Sequence, residues 1–156
     1  SVGRNSVLLL NVPPDQRGLF HENDVERLNE LRAVLDATFD EDVARLAQGG
    51  GAAVDGAGDS HWSAQSDIDV LTLDLGAEKT VDRLLLQEAI EDGQRVERFV
   101  LEGLHEGQWK EIIRGGCIGY KRLERFSRVT IRRVRLRIEA SRAPARLRRI
   151  GLFCAP

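Results

Sequence analysis

The sequence has 156 residues, 42% hydrophobic and 31% charged, with a net charge of −2. That size and balance fit one ordinary domain plus the edge of another and exclude a disordered chain. No apolar run approaches the roughly 18–20 residues a membrane helix needs, so no helix is expected to span a bilayer.

Residues 6–12, Ser-Val-Leu-Leu-Leu-Asn-Val, form a continuous apolar run that stops at Pro13-Pro14. It is too short for a signal sequence. Unbroken rather than alternating hydrophobicity predicts a strand covered on both faces, as in a parallel sheet. A helix is expected next, over 24–42, with Asn23 or Asp24 as N-cap. Val25, Leu28, Leu31, Val34, Leu35 and Phe39 recur at three- and four-residue steps along it, with Glu26, Glu30, Asp36 and Asp40 opposite. Such a strand and helix are half of a βα unit and cannot bury themselves, so an upstream part is implied. Without it, the 6–12 strand is expected to be disordered, to fold back over its helix, or to pair with another copy.

Residues 48–60 are rich in glycine and are expected to be a linker or loop. From residue 69 onward the period becomes two. Val70–Leu75 stop at Gly76, Leu84–Ile90 at Asp92-Gly93, Val96–Leu104 at Glu106-Gly107, and Trp109–Ile113 at Gly115-Gly116. Val129–Ile138 and Leu147–Leu152 complete the set. Six or more short strands between turn signals predict a mainly β fold, an antiparallel jelly-roll sandwich. The expected division is therefore 1–47, a strand–helix remnant; 48–60, a linker; and 61–156, the sandwich.

Charge is unevenly spread. Residues 1–60 hold 5 Lys/Arg against 11 Asp/Glu, and residues 121–149 hold 12 against 2. A basic surface can serve a nucleic acid or another polyanion. Strand phase gives a plainer reading, because Arg133, Arg135 and Arg137 alternate with Val134, Leu136 and Ile138 and fall on one solvated face. Nucleic acid is accordingly ranked last among partners, and the acidic helix is placed near this basic surface. Cys117 and Cys154 lack the close partners of a metal site. They are expected as separate thiols, with one disulfide as the alternative. His21, His61 and His105 are isolated from one another, and acidic pairs such as Glu91-Asp92 suit caps and turns rather than acid/base work.

Several stretches together resemble a known family. Glu88–Glu102, Gly107–Lys110, Ile118–Arg122 and Val134–Ile138 are similar to the C-terminal domain of plant and bacterial α-L-fucosidases. Asn5–Leu19 resembles the last strand and loop of their catalytic barrel. The resemblance implies a retaining (β/α)-barrel glycosidase followed by a galactose-binding-like, discoidin-like sandwich. Retention needs two carboxyl groups about 5–5.5 Å apart. In the family both lie on earlier barrel strands that this chain does not contain, so no catalytic residue is carried over.

The resemblance also implies ligand sites to weigh. A Ca²⁺ loop would fall at Asp55, Asp59 and Ser60. Related Ca²⁺-binding sandwiches usually have a carboxylate where Ala57 stands and another where Arg149 stands, so Ca²⁺ is disfavoured and no cofactor is expected. A sugar site needs an aromatic platform beside convergent polar groups. The weak candidates are Trp109 and Tyr120, assisted by His105 and Arg95, with Trp62 assigned to the core. Three roles are thus open: an accessory region whose partner is the catalytic barrel of the same polypeptide; a module for fucosylated or galactosylated glycans; and polyanion binding by the arginine-rich sheet. Self-association through the apolar strand is a further expectation of the first.

Overall fold

A computed structural model describes residues 2–55, 58, 60–91 and 93–156. It contains one helix, α1 (Glu22–Phe39), and six strands: β1 (Trp62–Ser63), β2 (Asp69–Glu88), β3 (Val96–His105), β4 (Gln108–Gly115), β5 (Arg122–Ser141) and β6 (Arg146–Phe153). The strands hydrogen-bond in the order β1-β6-β2-β5-β3-β4, every pair antiparallel.

The two long strands make the sandwich. The first half of β2 pairs with the second half of β5, which also carries β3 and then β4. The second half of β2 pairs with the first half of β5 on one edge and with β6 on the other. Between the halves the β2–β5 register shifts at Asp74/Lys79 and again at Val81/Arg83. Shifts of this kind bend a strand and re-aim it. Side chains from both halves, including Leu71, Leu84, Leu101, Leu136 and Ile150, meet in one buried cluster. The antiparallel sandwich expected from the period-two pattern is therefore the observed fold.

Three local expectations are corrected. Gly76 does not end a strand: it sits at φ +81 inside the continuous β2, where a bulge needs the left-handed region that glycine allows. The helix begins at Glu22, two residues earlier than expected, because His21 caps it by accepting the Asn23 N–H on its side chain, and it ends at Phe39. Residues 6–12 are not a strand. They carry no strand pairing, and Val7 is 94% and Leu9 95% exposed. A strand needs a neighbour along its edge, and Pro13-Pro14 prevents a hairpin return.

The glycine-rich segment also behaves differently from a free linker. Gln48 exchanges two backbone hydrogen bonds with Asp74, and Ala53 and Val54 join the core; just before the segment, Val43 N–H donates to Leu152 O and Ala44 is buried in the same core. Small residues suit this path because the backbone lies against β2: at Gly50, a Cβ would meet Val54 and Leu73 within 2.7 Å. Trp62 is half-buried against the same core. No helix among the described residues is long and apolar enough to cross a membrane.

Candidate functional site

Residues 2–40 present most of the exposed apolar surface: Val7 to Leu10, Leu19, Phe20, Val25, Leu31 and Val34 all lie open. The unit is fastened to the sandwich at both ends. On the N-terminal side, Asn5 N–H donates to Lys121 O, its Nδ2 donates to Ile118 O, and its Oδ1 accepts Lys121 N–H. Arg4 pairs with Glu124 at 3.2 Å. On the C-terminal side, the Asp42 carboxylate accepts the N–H groups of Ala44 and Leu152 and pairs with Arg149. Between these fastenings α1 meets the sandwich through its last turn, where the Phe39 and Phe153 rings stand edge to face with centroids 5.1 Å apart.

The sugar-site candidates divide into two groups. At one end of β3, Glu88 is 2% exposed and accepts three backbone N–H groups, from Arg95, Val96 and Gly119. This carboxylate ties the loop before β3 to the loop 116–121. Gln87 Nε2 donates to Tyr120 O, so with the Asn5 bonds the backbone around Tyr120 is held from two sides while its side chain stays exposed. The Arg95 guanidinium donates to Pro144 O. Tyr120 and Arg95 are thus brought to the same end through Glu88. Trp109 and His105 lie at the other end, where Leu104 pairs with Trp109 and His105 with Gln108. Ten residues of strand separate the ends by about 30 Å. Among the described residues the four do not form one cluster.

Trp109 is also partly covered. The Arg135 guanidinium sits 4.5 Å from its ring centroid and bonds Glu102 as well. Glu102 is buried. Its burial would raise its pKa, but hydrogen bonds from Arg135 and Arg137 outweigh this and hold the carboxyl below its ordinary value. His105 lines a shallow cleft with Lys110, Glu111 and Ser127, over Ile112 and Val129.

The arginine-rich face is matched by acids from the sheet itself. Arg133 and Arg132 both bond Asp74, whose pKa they lower strongly; Arg137 pairs with Glu102 and Glu139; Arg114 joins Glu139 to Glu111. The expected placement of the acidic helix beside these arginines is corrected: strand neighbours neutralise them, and the acidic segment meets Arg149 through Asp42 instead. In the candidate Ca²⁺ loop, Ser60 Oγ donates to the Asp55 carboxylate at 2.9 Å, and Asp59 lies outside the described residues. Cys117 is exposed and Cys154 half-buried, each with a free thiol.

The sequence reasoning missed Glu88, Asn5 and Asp42. Glu88 left a signal, since it shares parity with Leu84 and Leu86 on the inward face of β2, a place where an acid requires partners. Asn5 and Asp42 left none, because their partners lie about a hundred residues away.

Comparison with known proteins agrees with this geometry. The F5/8 type C domain family matches residues 40–150, which reach from ahead of β1 into β6. The chain is 30% identical to α-L-fucosidase 1 of Arabidopsis thaliana over 98% of its own length and 34% of that protein. The crystal structure of SpGH29 superposes with a TM-score of 0.92 at 36% identity, covering 100% of this chain and 37% of that one. A Ruminococcus gnavus GH29 fucosidase in complex with fucose superposes at 0.88 with 27% identity, covering 100% of this chain and 35% of that one. The chain spans about a third of the length of the curated relatives it matches. It belongs to the F5/8 type C domain family, and nearly its whole length matches the C-terminal end of α-L-fucosidases.

Proposed function

We propose that this chain is the C-terminal accessory region of an α-L-fucosidase, in which the sandwich supports a catalytic barrel carried upstream in the same polypeptide. The observation that carries this reading is the exposed apolar run Val7–Leu10, continued by Leu19, Phe20 and the face of α1. Apolar area of this extent is costly in water at roughly 25 cal/mol per Å² and calls for a covering partner. The matched relatives supply the kind of partner, since they are about three times as long and bear the name α-L-fucosidase. The buried acids among the described residues are engaged in holding structure: Glu88 on backbone N–H groups, Glu102 and Glu124 on arginines, and Asp82 on Ala155 N–H and Arg83. In this reading the hydrolysis of α-L-fucosides belongs to carboxylates of the barrel.

The test is hydrolysis of a chromogenic α-L-fucoside by the longer parent polypeptide, by this chain, and by the parent carrying Leu9→Asp. The parent is expected to turn over and the chain to be inert. Leu9→Asp is expected to lower the parent's Tm and activity together. A parent without fucosidase activity, or one indifferent to Leu9→Asp, would overturn the reading.

A second reading, a glycan-binding module, is favoured by the exposed Tyr120 ring on a loop whose backbone is pinned by Glu88, Gln87 and Asn5. A rigid aromatic with polar neighbours is what stacking on a sugar face requires. An NMR titration with L-fucose and galactose up to tens of millimolar decides it. Saturable shifts at Tyr120 and Arg95 support it, and flat spectra remove it.

A further inference from the structure

The two halves of the sandwich part along one side, between β4 and the first half of β5. Among the described residues neither has a second neighbour there: β4 pairs with β3 alone, and residues 124–131 of β5 pair with β2 alone. Between them opens the cleft of His105, Lys110, Glu111, Ile112, Ser127 and Val129, about 410 Å³ in volume. Small-ligand pockets run from roughly 300 to 1,000 Å³.

Three departures from regular strand geometry converge on this cleft. Between the pairs Leu101–Ile113 and Glu102–Glu111, β3 advances one residue and β4 two, so Ile112 is bulged. Between Val81–Val129 and Arg83–Arg125, β2 advances two residues and β5 four, so a second bulge carries Phe126 against the core and Ser127 to the cleft. Bulges re-aim side chains and are enriched beside active sites for that reason. The third departure is Gly103, where a Cβ would stand 3.0 Å from Ile112, 3.1 Å from Ile131 and 3.4 Å from His105 Nε2. Its bareness leaves room for the His105 ring to lie inward.

The polar side chains here break the pattern of the sheet. His105 shares parity with Phe99 and Leu101, and Lys110 stands opposite Gly103 on the same inward face. Elsewhere on the sheet charged groups are matched, as Arg133 is by Asp74 and Arg135 by Glu102. Among the described residues the side chains of His105, Lys110 and Ser127 have no hydrogen-bond or ion-pair partner. Glu111 also lines the rim, but it is already bonded to Arg114 at 2.9 Å. The cleft thus offers one uncommitted ammonium and two groups able to donate or accept, above a floor of Ile112 and Val129.

We propose that this cleft binds a sugar acid, a pyranose carrying a carboxylate. Lys110 takes the carboxylate, His105 and Ser127 take ring hydroxyls, and the apolar face of the ring rests on Ile112 and Val129. A neutral sugar leaves the ammonium without a counter-charge, and a bare anion leaves the apolar floor uncovered. The site lies at the opposite end of β3 from Tyr120, and it does not depend on the accessory role of the chain.

The test is an NMR titration of this chain with D-glucuronate, D-galacturonate and N-acetylneuraminate, with D-glucose and acetate as controls, up to tens of millimolar. At least one sugar acid is expected to give saturable shifts at His105, Lys110, Ile112 and Ser127, with both controls at least about tenfold weaker. Lys110→Ala, at an exposed position, is expected to keep the Tm and weaken that binding at least about tenfold. Ser127→Ala should weaken it by about threefold. Three results would each overturn the proposal: no saturation with any sugar acid, equal binding of glucose or acetate, or affinity indifferent to Lys110→Ala. Shifts confined to Tyr120 and Arg95 would also overturn it, by moving sugar binding to the other end of the sandwich.

Discussion

The sandwich and the N-terminal unit carry the same kinds of apolar side chains and use them in opposite ways. From Val43 onward the strands supply one another with edges and faces, and Leu71, Phe99, Leu136 and Leu152 disappear into a shared core. Over residues 2–40 leucines of the same chemistry stand open, because neither the extended run nor α1 has a neighbour on the side its pattern prepares. Whether an apolar residue is buried thus depends on the neighbours the fold gives it, and the contrast separates the two regions.

The largest expected difference is in core deletions. Leu136→Ala should destabilise the chain by about 3–4 kcal/mol, whereas Leu9→Ala should stay within about 0.5 kcal/mol, both measured by urea unfolding. In the longer parent the gap should narrow, as Leu9 acquires neighbours. Equal costs in the 156-residue chain would erase the distinction between the two regions.

Next is the clamp that orders the loops at one end. Glu88→Ala strands three backbone N–H groups around a buried site and should cost about 3 kcal/mol. It should also loosen the 116–121 loop, seen as faster amide exchange at Gly119 and Tyr120. Glu102 gives a smaller, pH-dependent effect. Its pKa is depressed in the folded state, so the ionised carboxylate contributes stability above its ordinary value of 4.5 and loses that contribution as pH falls through the folded value. Glu102→Gln should therefore cost about 2 kcal/mol at pH 7 and flatten the decline of stability below about pH 4. An unchanged pH profile in the variant would show that the Arg135–Glu102–Arg137 contact adds nothing to the fold. Smallest is Asn5→Ala, expected to cost about 1 kcal/mol and to free the N-terminal segment in amide exchange while leaving β2 to β6 protected.

The sandwich was legible because period-two alternation depends on neighbours within a few residues, and the β5 residues Val134, Leu136 and Ile138 face inward as their phase requires. The course of β2 through Gly76 was not, since a glycine that bulges a strand and one that ends it look alike in sequence. The inward packing of Ala53 and Val54 was hidden by the glycines around them. The 6–12 run shows the converse: its unbroken hydrophobicity predicts a covered strand, yet Val7 and Leu9 stand exposed. Of the sugar candidates, sequence suggested the residue types but not that a ten-residue strand keeps Trp109 and His105 apart from Tyr120 and Arg95.

The central claim, that residues 7–10 are built to be covered by an upstream part of the same protein, is tested most directly by amide hydrogen exchange at those residues. In this chain they make no backbone hydrogen bonds among the described residues and should exchange within seconds. In the longer parent they should become strand amides, slowed at least ~100-fold. Exchange as fast in the parent as in this chain would contradict the account.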